Sequence, residues 1–446
     1  MKNSLHSTVG AIALILAQCL PKAAAEAISL ESVTADVLAV AGDQTLGRSA
    51  DGTGIKIAEK YIADELKAAG LQPFFGDSYF QTFTLYQYQP KPFTVYINEK
   101  PVAAEKLFAV GSASAIDWQL DDVNITRIKA DDDFRARISE LNGQSESHLV
   151  LVDKAHQQIF SGFANYLKGG SKSLTKQNGK ALVFALNDAQ SVDSASIKGG
   201  FEQRKVALKN VAAVLKGKSL ADEYVVFSAH HDHIGTHGLS NEDGADIIYN
   251  GANDDASGVS AVLNLARHYS VKSNNQRSIL FITFTAEEMG LLGSEYFGTT
   301  IDAAQMISMF NIEMIGKASA FGPGKMWMTG MDRSNLGTLI NENLPQYLKD
   351  ENYRIEADPY PDFQLFYRSD NASLARLGVP AHSISSTQIS KDQDYHQVSD
   401  EVSTLDLEQM TEIIKVLAHV SEPIINGKQT PERIQPMPAR TKGNFF

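Results

Sequence analysis

Tyr224–Ala229 (YVVFSA) is a short apolar run that stops abruptly at His230-His231-Asp232-His233. A second run, Ser278–Thr285 (SILFITFT), stops at Glu287-Glu288, and a third, Met306–Met314 (MISMFNIEM), carries Glu313 near its end. Runs of this length, rich in Val, Ile and Phe, predict buried strands. Met326–Thr329 and Pro380–Ser385 extend the series. Helical spacing lies between them: Val259, Val262, Leu263 and Ala266 share one face of 256–269. Ser334–Leu348 is a second helical segment. Leu407, Met410, Ile414 and Leu417 are in register within 405–420. Strands alternating with helices predict an α/β layer built on a mixed, mostly parallel sheet. In such sheets, sites form beyond the carboxyl ends of the strands.

Those ends carry the chemistry-bearing residues. His230 follows the first run, and Asp254 stands in GANDDASG (Gly251–Gly258), where a helix begins. Glu287 and Glu288 follow the second run, Glu313 closes the third, and His396 lies in the turn-rich Asp394-Tyr395-His396. Imidazoles with carboxylates and no thiolate suit Zn2+ in a hydrolytic setting. Asp254 is the natural bridge between two ions. An adjacent acid pair lets one carboxylate bind metal while the other stays free as a general base.

Working outward, the chain has 446 residues, 43% hydrophobic and 21% charged, which is globular composition. A formal charge of -13 argues against a nucleic-acid partner, because phosphate binding needs a basic footprint. Cys19 is the single cysteine, so neither an internal disulfide nor a thiolate metal site can form. Lys2, the apolar stretch VGAIALILAQCL (9–20) and Ala23-Ala24-Ala25 have the layout of a signal peptide over residues 1–25. No later run approaches a membrane span. The expectation is an exported protein, periplasmic or extracellular.

Residues 26–90 read as a lead-in to the catalytic domain. Ile55, Ala58, Ile62, Leu66 and Ala69 predict a helix over 54–69, with Thr53 as N-cap and Gly70 as stop. Tyr79–Tyr88 alternates aromatic and polar residues as a strand does. Residues 91–205 hold short β-like runs (Phe93–Ile97, His148–Val152, Ala181–Leu186) between polar stretches, without a His or acid cluster. They read as an inserted, smaller β-containing domain or lid. The catalytic domain resumes over 206–425, and 426–446 is a tail.

SAHHDHIG (Ser228–Gly235), GANDDASG (Gly251–Gly258), FTAEEMGLLGS (Phe284–Ser294), NIEMIG (Asn311–Gly316) and DYHQVSDE (Asp394–Glu401) resemble, in order, the signature segments of the M28 family of co-catalytic zinc peptidases. The resemblance covers about 206–425. It implies a phosphorylase/hydrolase-like three-layer core, two Zn2+ per chain, and peptide substrates with a free N-terminus. It also implies roles. His230 and Glu313 would complete one metal site and Glu288 and His396 the other, with Asp254 bridging. Glu287 would be the general base for attack by a metal-bridging hydroxide. Asp232 would orient a ligand histidine through a hydrogen bond to its ring. Carboxypeptidase and glutaminyl-cyclase activities occur on the same fold, and a metal-binding receptor-like module is the non-enzymatic alternative. Two positions depart from the family pattern: Glu313 stands where Asp is usual, and Asn371 where Arg368-Ser369-Asp370 is usually followed by His.

Other polar residues read as structural. Asp255 and Ser257 are expected to cap the helix or face its dipole. His231, His233 and His237 are expected in the loop or at the rim, and His268, His382 and His419 within helices or strands. Tyr395 and Tyr367 are pocket-lining candidates. Asn241-Glu242-Asp243-Gly244 reads as a solvated loop rather than a calcium site.

Overall fold

The computed structural model describes residues 28–236 and 244–436. The signal-peptide reading, Cys19, His237, Asn241-Glu242-Asp243 and the end of the tail therefore lie outside the described residues.

The core is a ten-stranded mixed sheet. Its principal strands are β1 (Phe80–Pro90), β2 (Phe201–Leu215), β3 (Leu220–His230), β4 (Arg277–Phe284), β5 (Met306–Ile312) and β6 (Ala381–Ser385). Strand β3 pairs in parallel with both β4 and β5, and β5 in parallel with β6. Every residue of β4 and β6 is buried, as expected of parallel strands covered on both faces. The long parallel part is these four strands, and one short parallel pair, Trp327–Met328 with Glu356–Ala357, lies at the far edge. The flank is antiparallel: β2 pairs with β4 and, from Phe201↔Pro90 to Val211↔Phe80, with β1. Strand β1 alternates as its sequence predicts, with Phe83 and Leu85 buried.

Four long helices cover the sheet: α1 (Leu30–Ala41), α2 (Ile55–Ala68), α3 (Ser257–Lys272) and α4 (Leu407–Ile425). Helix α3 packs on β3, β4 and β5, and α1 and α4 pack on α3. The largest core cluster joins Val259, Val262 and Leu263 to Phe227, Phe281 and Phe310 of the sheet and to Ile414 and Leu417 of α4. Removing any of these aromatic rings would cost about 3–5 kcal/mol.

Two local expectations change. Thr53 does not cap α2; the helix starts after Gly54, whose missing side chain lets the chain pass against the Thr45 carbonyl, where a Cβ would sit at 1.8 Å. Ser334–Leu348 is two short helices, Leu336–Glu342 and Gln346–Asp350, because Pro345 cannot continue the first.

The segment after β1 builds two four-stranded sheets, and the runs His148–Val152 and Ala181–Leu186 pair in parallel in one of them. It also contains helices Phe134–Gly143 and Gln157–Leu167, which the β-like reading did not include. Strand Ser171–Ser173 from this segment adds to the edge of the core sheet beside β1. Among the described residues, no helix is long and apolar enough to cross a membrane.

Candidate metal centre and catalytic site

The parallel register aligns the carboxyl ends of the central strands. His230 stands opposite Phe284 on β4, and Ser228 opposite Asn311 on β5. The residues just past these ends therefore converge: His230 itself, Glu287 and Glu288 after β4, and Glu313 after β5. Asp254 enters from the loop that leads into α3, and His396 from the irregular stretch after β6.

Asp254 divides its carboxylate between two groups. Its Oδ1 lies 3.0 Å from His230 Nε2, which is 3.2 Å from Glu313 Oε1. Its Oδ2 lies 3.2 Å from His396 Nε2, which is 3.4 Å from Glu288 Oε2. Two donors bound at about 2.0–2.2 Å to one tetrahedral ion stand about 3.3 Å apart, so both groups have the spacing of ligands around a shared ion. Asp255 is also close to His230 and Glu313, with donor atoms within 4.8 Å. However, its oxygens are occupied by backbone N–H groups of His230 (3.2 Å), Gly258 (3.0 Å) and Met314 (3.1 Å). It therefore goes beyond a helix cap and ties β3, α3 and the segment after β5 together.

Charge gives a second test of fit. Asp232, Asp254, Asp255, Glu287, Glu288, Glu313 and Asp370 share one region, against few cations. Burial pushes Glu287 well above the usual carboxylate range, and Glu288, Glu313 and Asp370 add to this against the pull of His230. Asp370 is pushed up to about 8, first by burial. Burial lowers His230, and partial burial lowers His396, but the surrounding carboxylates outweigh this. His230 stands well above its ordinary value and His396 at about 10. So many acids in a buried site are stabilised by bound cations, and the donor set of imidazole and carboxylate fits a divalent transition metal. Buried Glu288 Oε1 and His233 Nδ1 have no hydrogen-bond partner among the described residues, as expected of atoms that face an ion.

The Glu287 carboxylate lines the cleft above Asp254, Glu288 and Glu313. No side-chain hydrogen bond or ion pair engages it among the described residues. Its backbone N–H donates to Asp232 Oδ1 at 3.0 Å. This is a change in how Asp232 acts. The His230 ring is 3.8 Å from the Asp232 carboxylate, and its Nδ1 is 3.1 Å from the Asp232 carbonyl oxygen instead. The main chain thus orients the ring, and the carboxylate anchors the segment that carries Glu287.

Three further residues acquire places that their types did not reveal. His233, expected at the rim, is 2% exposed, with Nδ1 2.8 Å from Glu288 Oε1. Asp400 accepts the N–H groups of Asn253 (3.0 Å) and Asp254 (3.1 Å) and so fixes the bridging loop; burial pushes it up to about 6. Its place within DYHQVSDE was the available signal. Ser369 Oγ donates to Glu313 Oε2 at 2.5 Å, which holds the longer side chain against His230.

The remaining candidates separate. Tyr395 lines the cleft and stacks on His396 with ring centroids 4.0 Å apart. Tyr367 packs on Phe366 and under Arg333. Asn371 is buried in structural bonds to Phe366 O and Ser383. His231 and His382 are buried and hydrogen-bonded away from the cleft; burial lowers them to about 3 and about 4. His268 and His419 line a separate surface cleft between α3 and α4. Trp327, Leu365 and Ile389 give the catalytic cleft an apolar wall.

The chain is also similar to known proteins. Residues 210–421 match the model described as peptidase family M28. A probable zinc metalloprotease of Pyrenophora tritici-repentis is 35% identical over 120 residues, 26% of each chain. Leucine aminopeptidase 1 of Neurospora crassa is 28% identical, over 60% of this chain and 64% of that protein. The chain spans about a quarter of the length of the first curated relatives it matches. An aminopeptidase from Aneurinibacillus sp. strain AM-1 has the same fold, with a TM-score of 0.55 at 18% identity, covering 93% of this chain and 97% of that one. The similarity to peptidase family M28 thus spans residues 210–421, the part of the chain that carries these residues.

Proposed function

We propose that this protein is an exported zinc-dependent exopeptidase, an aminopeptidase that removes N-terminal residues from peptides with a free amine. One observation carries the reading. Asp254 turns its two oxygens toward two separate His–Glu pairs, while the Glu287 carboxylate beside them stays unengaged. In this reading His230 and Glu313 would hold one Zn2+, Glu288 and His396 the other, with Asp254 available to both. Bound zinc supplies Lewis-acid polarisation of a carbonyl and lowers the pKa of water.

The chain's own residues do the rest. Glu287 takes a proton from the attacking water and returns it to the leaving amine. Burial and neighbouring carboxylates raise its pKa, and positive charge held by the ligand residues would favour the ionised form that accepts the proton. The apolar wall of Trp327, Leu365 and Ile389 receives a substrate side chain and excludes water from the reacting bond. The aminopeptidase and zinc metalloprotease names of the relatives support the same class of reaction.

The test uses purified full-length protein with added Zn2+. Aminoacyl-nitroanilides should be hydrolysed, and N-acetylated counterparts should not. Equal hydrolysis of N-blocked substrates, or release from the carboxyl end, would overturn the aminopeptidase reading. N-terminal sequencing of protein recovered from periplasm or medium should start after Ala25.

A further inference from the structure

His230, Glu287, Glu288 and Glu313 sit on or just after core strands, and Asp254 in the loop held by Asp400. His396 does not. It lies in an irregular stretch after β6, has a left-handed backbone (φ 57) and keeps 37% of its side chain exposed, against 17% or less for His230, Asp254, Glu288 and Glu313. A ligand on such a loop needs an anchor to the sheet.

We infer that Lys317 is that anchor, a positioning residue that sets His396 in the second metal site. Lys317 follows Glu313 by four residues, on the segment leaving β5. Its Nζ reaches Asp392 Oδ1 at 2.6 Å and Asp394 Oδ2 at 2.7 Å, with its side chain only 15% exposed. Burial alone would lower the Lys317 pKa, but the two carboxylates outweigh it and keep the ammonium charged. The clamp then closes around His396 from both sides. Asp394 Oδ1 accepts the Ser399 hydroxyl at 2.7 Å, and the Asp394 carbonyl accepts the Gln397 N–H at 2.9 Å. Ser386, at the start of the same stretch, donates to the Lys317 carbonyl at 2.6 Å. One ammonium therefore bridges two carboxylates, four and two residues before His396, that would otherwise repel each other. It also links the Glu313 segment to the His396 loop. Without it the loop loses its closed form and the imidazole leaves Asp254 and Glu288.

This inference rests on the two-ion reading, and the experiment separates the two. Metal-free full-length protein is titrated with cobalt(II) chloride and followed by visible absorption, with circular dichroism as the check on folding. Wild type should bind two ions in resolvable steps. Lys317→Met should weaken one step by about ten-fold or more, the scale typical of lost ligand support, and leave the other within about two-fold. Lys317→Arg, which keeps the charge, should recover most of the loss. Should Lys317→Met not fold, Lys317→Met with Asp392→Asn and Asp394→Asn removes both the clamp and the repulsion, and it should show the same selective loss. Two ions in wild type with both steps unchanged in a folded clamp variant overturn the role of Lys317 alone. Fewer than two ions in wild type overturn the two-ion reading and this inference with it.

Discussion

His233 Nδ1 lies 2.8 Å from Glu288 Oε1, yet the two atoms are not aligned as a hydrogen bond, and neither has another such partner among the described residues. The ring rests against Gly251, where a Cβ would meet it at 2.5 Å. An imidazole nitrogen and a carboxylate oxygen held this close and off-line are stabilised by a cation that binds both from one side. His233→Ala should therefore weaken zinc retention at the Glu288 side by about 10–100-fold. Gly251→Ala, which pushes the ring away, should act in the same direction. Zinc content after dialysis against graded chelator checks this; wild-type retention in both variants would remove His233 from the centre.

Glu287→Gln should keep its metal and lose turnover by about 10²–10⁴-fold, since the amide cannot accept the proton. Zinc analysis and kcat on an aminoacyl-nitroanilide are measured on the same sample. Undiminished kcat would remove the assigned base.

Asp400→Ala should destabilise the fold, because the N–H groups of Asn253 and Asp254 lose their acceptor inside the protein. Each buried unpaired N–H costs about 1–3 kcal/mol. Urea unfolding reads the loss directly, and an unchanged midpoint would mean that the bridging loop is held without Asp400.

His382 makes stability depend on pH. Burial lowers its folded pKa to about 4, below the ordinary 6.5, so the unfolded chain binds the proton first. The stabilisation is complete above about pH 6.5 and is lost as pH falls toward 4, up to about 3 kcal/mol. Replacing His382 with Gln should flatten the stability profile between pH 6.5 and 4. A slope identical to wild type would show that another group titrates there.

Much of the site was legible in the chain because its signals are local. The strand of Ser278–Thr285 is mostly apolar since both faces are covered, and it ends just before Glu287-Glu288. A strand end is a place in the sequence as well as in space, so His230, Glu287, Glu288 and Glu313 could be read off in order. Pro345 is legible in the same way: its ring breaks the helical spacing of 334–348 into two short helices. The two helices between residues 134 and 167 were missed because Phe134, Ile138 and Leu141, then Phe160, Phe163 and Leu167, are short periodic sets between polar stretches.

By itself the sequence determined the chemistry on offer: thiolate-free ligands at strand ends, an acid pair with one member to spare, and apolar periodicity that builds a covered sheet. Only the tertiary structure decided how each oxygen and nitrogen is used. It turned the two oxygens of Asp254 toward different histidines and gave those of Asp255 to backbone N–H groups. It drew His233 inward and brought Asp400 and Lys317 to loops far from them in sequence. Residue type and spacing report which element a side chain stands on. The direction it faces depends on partners tens of residues or more away, and that is settled only when the chain has packed.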